Sequence, residues 1–148
     1  MSDIQYGVAW QDSFRLGNEM VDAQHFQIFQ LLSELVGSCI DGSDVGRLKS
    51  TLDFLVDYTV RHFQEEESLQ IQCGYPDYAR HKQLHEAFIV EVSKIVERFE
   101  KDGSSTALSR DLNKIVIHWL INHIMQEDKK IGEHLRKQQA QADVLLAL

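Results

Sequence analysis

The amino-acid sequence predicts an all-α protein: an antiparallel up-down-up-down four-helix bundle with an N-terminal arm and a short C-terminal extension. Two observations support this fold class. Four long stretches carry apolar residues at alternating steps of three and four, which is the spacing of one helix face. The 148 residues include only one proline, Pro76, and strand signals are scarce. Four helices of similar length with short links pack most simply as such a bundle.

The first two predicted helices are separated by a polar cluster at residues 41–44, which supplies a helix stop and then an N-cap. The first helix runs from about Asn18 to Cys39, and the second ends before the glycine and proline of residues 74–77. The inward stripe consists of Val21, His25, Ile28, Leu32, Leu35 and Cys39 in the first helix, and of Leu48, Leu52, Leu55, Thr59, His62, Glu66, Leu69 and Cys73 in the second.

The third predicted helix follows Pro76 and ends at the Asp-Gly-Ser-Ser sequence of residues 102–105, and the fourth begins near Thr106 to Ser109. Their inward stripes are His81, His85, Phe88, Val92, Ile95 and Phe99, and Leu112, Val116, Trp119 and His123. We therefore predict one domain over residues 1–148, with the bundle at about 18–137, an arm at 1–17 and a tail at 138–148.

The two ends of the chain carry apolar residues of their own. Trp10 and Phe14 in the arm are expected to pack against the bundle. The tail ends in Val-Leu-Leu-Ala-Leu at residues 144–148, which is unexpectedly apolar for a terminus. Two roles stay open for it: covering part of the bundle, or contacting another subunit or a separate protein partner.

Composition and charge exclude several classes of function. The formal net charge of −8 argues against nucleic acid or an anionic membrane surface as the main partner. No segment approaches the roughly 20 apolar residues of a membrane span, and no signal-peptide pattern begins the sequence, which favours a cytoplasmic protein. Cys39 and Cys73 are neither closely spaced nor in a small secreted scaffold, so a buried reduced thiol is expected for each.

Seven potential metal ligands lie on the inward stripes. Five imidazoles and two carboxylates suit iron, and unpaired polar groups would be costly in a core. Residues four apart lie nearly one above the other on a helix, so each such pair can reach one ion or two adjacent ions. A single pair of this kind is a weak signal, but the joint placement on core stripes makes it a strong one. The seven are His25, His62, Glu66, His81, His85, His123 and Asp128.

The fourth helix contains an irregularity. His123 and Asp128 are five residues apart, about 140° out of phase on a regular helix, and periodicity alone would pair His123 with Glu127. The apolar residues that follow, Ile131 and Leu135, continue the rhythm from Asp128 instead. Either a π-bulge between the two residues realigns them, which is the interpretation we favour, or the inward face is simply wide.

Five polar residues near these ligands are expected to play other roles. His118 is out of phase with the inward stripe and is expected to lie at the surface or at the rim of the site. His134 is expected to face solvent near the end of its helix, where it favours the helix dipole. Glu65 and Glu67 are expected to be charged side chains that face solvent. Asp22, one turn before His25, is either a hydrogen-bond partner that orients an imidazole or a solvated residue of the first turn.

The arrangement resembles the hemerythrin family, specifically its single-domain bacterial members. The resemblance covers about Val8 to Leu135 and includes all seven ligand positions. Two departures touch no ligand: Ile131, where many relatives carry Tyr, and the apolar extension. The matching stretches are Asp22-Ala23-Gln24-His25, His62-Phe63-Gln64-Glu65-Glu66, Gly74-Tyr75-Pro76 leading to His81-Lys82-Gln83-Leu84-His85, and Trp119-Leu120-Ile121-Asn122-His123 leading to Asp128-Lys129-Lys130.

The resemblance implies reversible dioxygen binding at a non-haem di-iron centre, in a carrier, store or delivery protein and not an enzyme. One iron would be held by three histidines (His81, His85 and His123) and the other by two (His25 and His62). Glu66 and Asp128 would bridge the irons together with an oxo or hydroxo group. A dry wall around the site is expected from apolar neighbours of the ligands, namely Ile28, Phe63, Trp119, Leu120 and Ile124.

Three other functions use related metal centres. Ferritin-like oxidases pair each histidine with a glutamate three residues earlier, and no histidine here has one. A zinc hydrolase needs fewer ligands and no paired bridging carboxylates. An oxygen or redox sensor that acts through a separate protein partner is the more serious alternative, since the same centre serves both functions.

Overall fold

The computed structural model describes the backbone of residues 10–41, 45–103 and 105–148, and that part of the chain is helical with no β-strand. A short 3₁₀ turn at Asp12–Phe14 precedes three long α-helices: α1 (Glu19–Asp41), α2 (Val45–Gln72) and α3 (Tyr78–Asp102). The predicted helices therefore lie where the apolar periodicity placed them. The N-cap predicted within residues 41–44 is not tested, since residues 42–44 fall outside the described part of the chain.

The fourth rod is one continuous helical stretch that changes type four times. It consists of α4 (Thr106–Leu112), a first π-helical segment (Asn113–His118), α5 (Trp119–Asn122), a second π-helical segment (His123–Asp128) and α6 (Lys129–Leu146). In a π-helix each backbone hydrogen bond spans five residues instead of four, so each segment shifts the face that later residues present. The fourth rod is thus the element in which simple periodicity is least reliable.

Neighbouring rods run antiparallel. α1 packs on α2, α2 on α3, and α3 on the first half of the fourth rod. At one end of the bundle, His25 near the start of α1 lies 3.1 Å from His62 near the end of α2, measured between their Nε2 atoms. At the other end, Lys49 near the start of α2 forms an ion pair of 3.8 Å with Glu100 near the end of α3. The predicted helical bundle is confirmed.

The half of the bundle away from the histidines is filled by aliphatic and aromatic side chains. Full burial of one Leu, Ile or Phe side chain stabilises the fold by about 1.5–3 kcal/mol. This apolar half holds the rods in fixed register, so that polar residues on the same stripes meet at the other half. Its most deeply buried members include Phe29, Leu32, Leu35, Leu52, Leu55 and Ile95.

The described part of the arm packs its aromatic rings on α1, as predicted. Trp10 meets Phe26 and Phe29 edge to face at centroid distances of 5.5 and 5.4 Å, and Phe14 stacks on Phe29 at 4.8 Å. The arm residues 1–9 lie outside the described part of the chain. The arm thus reaches α1 on the side of the bundle where α1 begins.

Leu16 joins the arm to both α1 and α6. Its amide donates a hydrogen bond of 2.8 Å to the Asp22 carboxylate, and its carbonyl oxygen accepts one of 3.0 Å from Arg136. Gly132 of α6 lies directly against it, and a Cβ at residue 132 would stand 2.8 Å from the Leu16 Cβ and collide with its carbonyl oxygen. Gly17, at φ +96°, then turns the chain in a conformation that favours glycine.

The C-terminal extension continues α6 to Leu146, and no break marks the predicted boundary at residue 137. Its apolar side chains are exposed, at 64% for Val144, 71% for Leu145 and 86% for Leu146. These side chains therefore do not cover the bundle, and contact of the extension with another chain stays a prediction. Within the described ranges, no helix combines the length and hydropathy that a membrane span requires.

Candidate metal centre

All seven predicted ligands converge in the interior, at the end of the bundle where α1 begins and α2 ends. They come from α1, α2, α3 and the second π segment, and none is more than 4% exposed. Their side-chain nitrogen and oxygen atoms form two overlapping groups, each with all its atoms within 4.8 Å of one another. The first group is Glu66, His81, His85, His123 and Asp128, and the second is His25, His62, Glu66 and Asp128.

The first group contains the three-histidine cluster of His81, His85 and His123. His81 and His85 lie one turn apart on α3, because a spacing of four residues stacks two side chains on the same face. His123 reaches them from the fourth rod, with its Nε2 atom 3.0 Å from that of His85. All three rings therefore direct Nε2 toward one point.

The second group contains the two-histidine cluster of His25 and His62. Their Nε2 atoms lie 3.1 Å apart, and the ring centroids are separated by 4.7 Å at an interplanar angle of 69°. Among the described residues no third histidine belongs to this group. The two-histidine cluster therefore offers fewer protein donors than the three-histidine cluster.

Glu66 and Asp128 each belong to both groups. Glu66 places Oε1 2.9 Å from His81 Nε2 and Oε2 3.2 Å from His62 Nε2. Asp128 places Oδ1 3.0 Å from His123 Nε2 and Oδ2 3.0 Å from His25 Nε2. Each carboxylate thus divides its two oxygens between the two clusters, which is the arrangement expected of groups that bridge two cations.

The chemistry of these atoms fits metal ions better than hydrogen bonding. Both oxygens of Glu66 and of Asp128 are buried, and in the described structure only the ligand imidazoles approach them; His81 Nε2 likewise faces only these carboxylates and the neighbouring imidazoles. Unsatisfied buried polar atoms are costly, so a cluster of them calls for a missing partner. Two ligand atoms about 2.1 Å from one ion, at right angles, lie roughly 3 Å apart, which matches the separations between donors here.

The carboxylates of the centre are strongly acidic. Burial raises the pKa of Glu66, but the surrounding imidazoles outweigh it and hold that pKa well below its usual value. Burial and the negative charge of Glu66 raise the pKa of Asp128, but the effects of His123 and His25 are larger, so this pKa is lowered as well. Both groups are therefore anionic at neutral pH.

The histidines respond to those charges unequally. Burial lowers the pKa of His25 and of His81, yet the Asp128 and Glu66 carboxylates beside them raise each to about 9. Burial dominates at His62, whose pKa is lowered. In the metal-free protein, two protonated imidazoles therefore balance two carboxylates, and cations that bind must displace those protons.

The predicted π-bulge in the fourth helix is confirmed. The segment from His123 to Asp128 is π-helical, so residues five apart fall on one face and both reach the centre. The first π segment, Asn113–His118, was not predicted. The buried residues on either side of it, Leu112 and Leu120, are eight apart, a spacing that an uninterrupted amphipathic helix also accommodates.

Aromatic rings pack directly on two of the histidines. Phe63 stacks on His85 at a centroid distance of 3.8 Å and an angle of 3°, and Trp119 stacks on His123 at 4.6 Å and 9°. Phe63 is buried, whereas Trp119 is only partly so. The other three predicted wall residues, Ile28, Leu120 and Ile124, are buried in the same core cluster.

Of the two histidines expected to lie outside the centre, one behaves as predicted. His118 is exposed, as expected of a surface residue. The prediction for His134 was wrong, because α6 continues beyond it and the ring is partly buried against Tyr75 at 5.6 Å. Its Nε2 donates a hydrogen bond of 2.9 Å to the carbonyl oxygen of Cys73, which ties α6 to the end of α2.

The two cysteines have different outcomes. The Cys73 thiol is free, as predicted, but it is only partly buried. The Cys39 side chain lies outside the described part of the structure.

Sequence reasoning misassigned two acidic residues and overlooked one amide. Glu67 is not solvated charge: its side chain is 17% exposed and accepts a hydrogen bond of 3.2 Å from His85 Nδ1. Asp22 contacts the arm and neither orients a ring nor is simply solvated. Gln24 was missed altogether, although its Oε1 accepts 2.7 Å from His62 Nδ1 and its amide nitrogen donates to the exposed Glu65. The contacts of Glu67 and Gln24 cross between helices, so no spacing in the sequence signals them.

Comparisons with known proteins agree with this site. A sequence profile described as the Hemerythrin HHE cation binding domain matches residues 16–135. The chain belongs to the hemerythrin family. Among curated hemerythrin relatives, a bacteriohemerythrin from Stenotrophomonas maltophilia is 33% identical over 131 residues, which is 87% of this chain and 82% of that protein. A hemerythrin-like protein from Naegleria gruberi is 30% identical, covering 82% of this chain and 87% of its own length.

The hemerythrin fold is shared as well. A solved structure of wild-type hemerythrin matches this chain with a TM-score of 0.76 and 29% identity, covering 86% of this chain and 97% of the other. The resemblance noted in the sequence is thereby confirmed. Membership of a cation-binding family and the clustered donors together support a metal site at this centre. The identity of the metal and the role of each ligand stay predictions.

Proposed function

We propose that this hemerythrin-family protein binds dioxygen reversibly at a pair of iron ions and serves as an oxygen carrier, store or delivery protein rather than as an enzyme. The single observation that carries the proposal is the division of two carboxylates between two histidine clusters. Glu66 and Asp128 each have one oxygen near the three-histidine cluster and the other near the two-histidine cluster. A single ion would leave half of those oxygens unpaired.

Iron is one of the metals that this donor set suits. Neutral imidazoles with few carboxylates favour a divalent transition metal over Mg²⁺ or Ca²⁺, which prefer oxygen donors. In the proposal, His81, His85 and His123 would hold one iron and His25 and His62 the other, and Glu66 and Asp128 would be ligands shared by both. Bound ferrous ions supply the electrons that hold dioxygen reversibly.

The chain contributes an open position and a dry environment. The two-histidine cluster offers two imidazoles where the other offers three, and this inequality supports dioxygen entry there. Phe63 and Trp119, stacked on His85 and His123, shield those ligands from solvent. Ile28, Leu120 and Ile124 extend the apolar surroundings. Exclusion of water and protons favours release of dioxygen over its reduction.

Absorption spectroscopy of the iron-loaded protein tests this function. The protein is reduced under anaerobic conditions, exposed to oxygen and then degassed, and the cycle of exposure and degassing is repeated. We expect a ligand-to-metal charge-transfer band that appears with oxygen and disappears on degassing over several cycles. Irreversible oxidation in the first cycle, or no response to oxygen, would contradict a carrier.

A second function, an oxygen or redox sensor that acts through a protein partner, is favoured by one observation. The end of α6 exposes apolar side chains that a partner would cover, among them Val144 and Leu146. A sensor should settle stably in either oxidation state and change its partner affinity between them. A carrier should autoxidise slowly and show no such change, so co-purification experiments on reduced and oxidised protein separate the two.

A further inference from the structure

Two ligand histidines donate a hydrogen bond from Nδ1, the ring nitrogen that faces away from the cluster. Their acceptors differ in charge. His62 donates from Nδ1 to the side-chain oxygen of Gln24 at 2.7 Å. His85 donates from Nδ1 to the carboxylate of Glu67 at 3.2 Å. The first acceptor is a neutral amide and the second is an anion. His62 belongs to the two-histidine cluster and His85 to the three-histidine cluster, so the difference follows the division of the site.

The orientation of Gln24 is fixed by Glu65. A carboxylate can only accept hydrogen bonds, so the end of the amide that faces Glu65 must be the NH₂ group. The amide oxygen then faces His62 and can only accept, which requires the proton of that ring to lie on Nδ1. The lone pair is thereby left on Nε2, the atom that points into the cluster beside Glu66 at 3.2 Å.

The same logic applies more directly to His85. Its partner Glu67 is a carboxylate with a 17% exposed side chain, so no intermediate residue is needed to hold the proton on Nδ1. A carboxylate behind a ligating imidazole also makes the ring a stronger donor than an amide does. By contrast, His25 and His81 have buried Nδ1 atoms without a hydrogen-bond partner in the described structure. Among the described residues, His62 and His85 therefore have a side-chain acceptor at Nδ1, and His25 and His81 do not.

We infer that Gln24 and Glu67 are positioning residues with separate targets. Gln24, itself oriented by Glu65, sets the ring of His62 and so the affinity of the two-histidine position. Glu67 sets the ring of His85 and so the affinity of the three-histidine position. The inference rests on the proposed function in one respect, since it assigns a metal ion to each cluster. Its consequence is that the two positions can be weakened one at a time without touching a ligand.

Metal titration tests the separation of targets. Co²⁺ binding is measured by competition with a chelator in the wild type and in the variants Gln24→Leu and Glu67→Leu. Each variant is expected to weaken one binding step by about 10–100-fold while the other step is unchanged. Gln64→Leu is the matched control, since Gln64 is exposed on α2 beside Glu65 and its side chain faces solvent.

A background variant identifies which step is affected. In His25→Ala, the two-histidine cluster has lost one of its two imidazoles, so only the three-histidine position is expected to bind tightly. Adding Gln24→Leu should then leave the remaining affinity unchanged, whereas adding Glu67→Leu should still weaken it. Equal effects of the two additions, or equal weakening of both steps in the single variants, would overturn the inference.

The ring of His62 provides a readout that needs no metal. Long-range ¹H–¹⁵N NMR of the metal-free protein reports which nitrogen carries the proton. The wild type should show the Nδ1–H form, and Gln24→Leu should show a mixture. Gln24→Glu combined with Glu65→Gln exchanges the amide and the carboxylate, so that residue 24 still accepts from His62. This double variant should show the Nδ1–H form and bind metal as tightly as the wild type at the step that Gln24→Leu weakens.

The two failures are distinguishable. If the wild-type chain binds a single Co²⁺ ion, the two-metal proposal fails, and the NMR result alone then decides the positioning role. If the His62 proton stays on Nδ1 in Gln24→Leu, the positioning role is wrong, however many ions bind.

Discussion

Glu66 and Asp128 come from different rods, yet each has one carboxylate oxygen in each histidine cluster. The oxygens of Glu66 lie 2.9 Å from His81 Nε2 and 3.2 Å from His62 Nε2, and Asp128 repeats the pattern with His123 and His25 at 3.0 Å. A change at either carboxylate should therefore affect both proposed metal positions, unlike a change at any single histidine.

Glu66→Gln is expected to lower the metal content of both positions. The variant keeps the shape of the side chain but removes a negative charge that faces both clusters, and breaking a buried charge arrangement is strongly unfavourable. Metal per chain, measured by mass spectrometry after gel filtration of iron-loaded protein, should fall from two to below one. Glu86→Gln, at an exposed position of α3, should retain two. An unchanged content in Glu66→Gln would remove the bridging role.

Metal-free protein is expected to lose stability between pH 6.5 and 9. The pKa of His25 and of His81 is raised on folding from 6.5 to about 9 by the carboxylates of Asp128 and Glu66. Such a group stabilises the folded state fully below pH 6.5 and loses that contribution as the pH rises through its folded pKa. The pKa of His62 is lowered on folding, so this residue destabilises the folded state only below about pH 6.5, where the unfolded imidazole is protonated. It therefore does not affect stability between pH 6.5 and 9.

The metal-loaded protein supplies the control for that pH dependence. Metal binding requires unprotonated imidazoles, so its Tm should hold or rise over the same interval. Thermal unfolding followed by circular dichroism at several pH values compares the two forms. A metal-free Tm that rises toward pH 9 would show that the imidazole charges do not balance the carboxylates.

Trp119→Ala is expected to speed autoxidation about tenfold, equivalent to a barrier lower by about 1.4 kcal/mol. The indole stacks on His123 at 4.6 Å and on Phe88 at 4.4 Å, so its removal opens a path for water beside a ligand. Trp119→Phe keeps an aromatic ring there and should change the rate much less. Stopped-flow absorption of the oxygenated protein measures the rate. A loss of iron that accounts for the whole effect would argue for a purely structural role.

Deletion of Gln126 is expected to preserve metal binding. Gln126 is exposed within the second π segment, and its removal places His123 and Asp128 four positions apart, which a regular α-helix aligns. Deletion of Lys130, also exposed but in regular helix, is the control: it turns the buried Ile131 by about 100° or else displaces Asp128. Iron content and Tm should survive the first deletion and fall in the second. The opposite ranking would mean that the π segment does not set the alignment.

Gly132→Ala is expected to destabilise the fold by about 1–3 kcal/mol, the usual cost of an overpacked contact. The added methyl group would meet Leu16 of the arm, whose backbone is held by Asp22 and Arg136. Denaturant unfolding measures the free energy of unfolding. Gly46→Ala, at an exposed helical position, should be neutral or slightly stabilising. Equal effects of the two substitutions would show that the arm yields without cost.

The helices and the seven inward donors were predictable because both follow from periodicity within single helices. His62 with Glu66, and His81 with His85, are related by a spacing of four. Even the π segment left a trace, since Ile131 continues the phase of Asp128 and not that of Glu127. That trace existed because residues on both sides of the bulge are buried.

Contacts between helices left no comparable trace. Glu67 reaches His85, and His134 reaches the carbonyl of Cys73, only because of how the rods are rotated against each other. Charged and polar residues such as Glu67 and His134 usually face solvent, but the packing of neighbouring helices partly buries both of them. Gln24 was overlooked for the same reason, since its role depends on which ring of α2 it meets.

Anomalous diffraction at the iron edge, from crystals of the iron-loaded protein, tests the two-metal arrangement most directly. Two separate peaks are expected, one among the three histidines of α3 and the fourth rod and the other between His25 and His62, with Glu66 and Asp128 lying between the peaks. A single peak shared by all seven residues, or iron bound elsewhere on the chain, would contradict it.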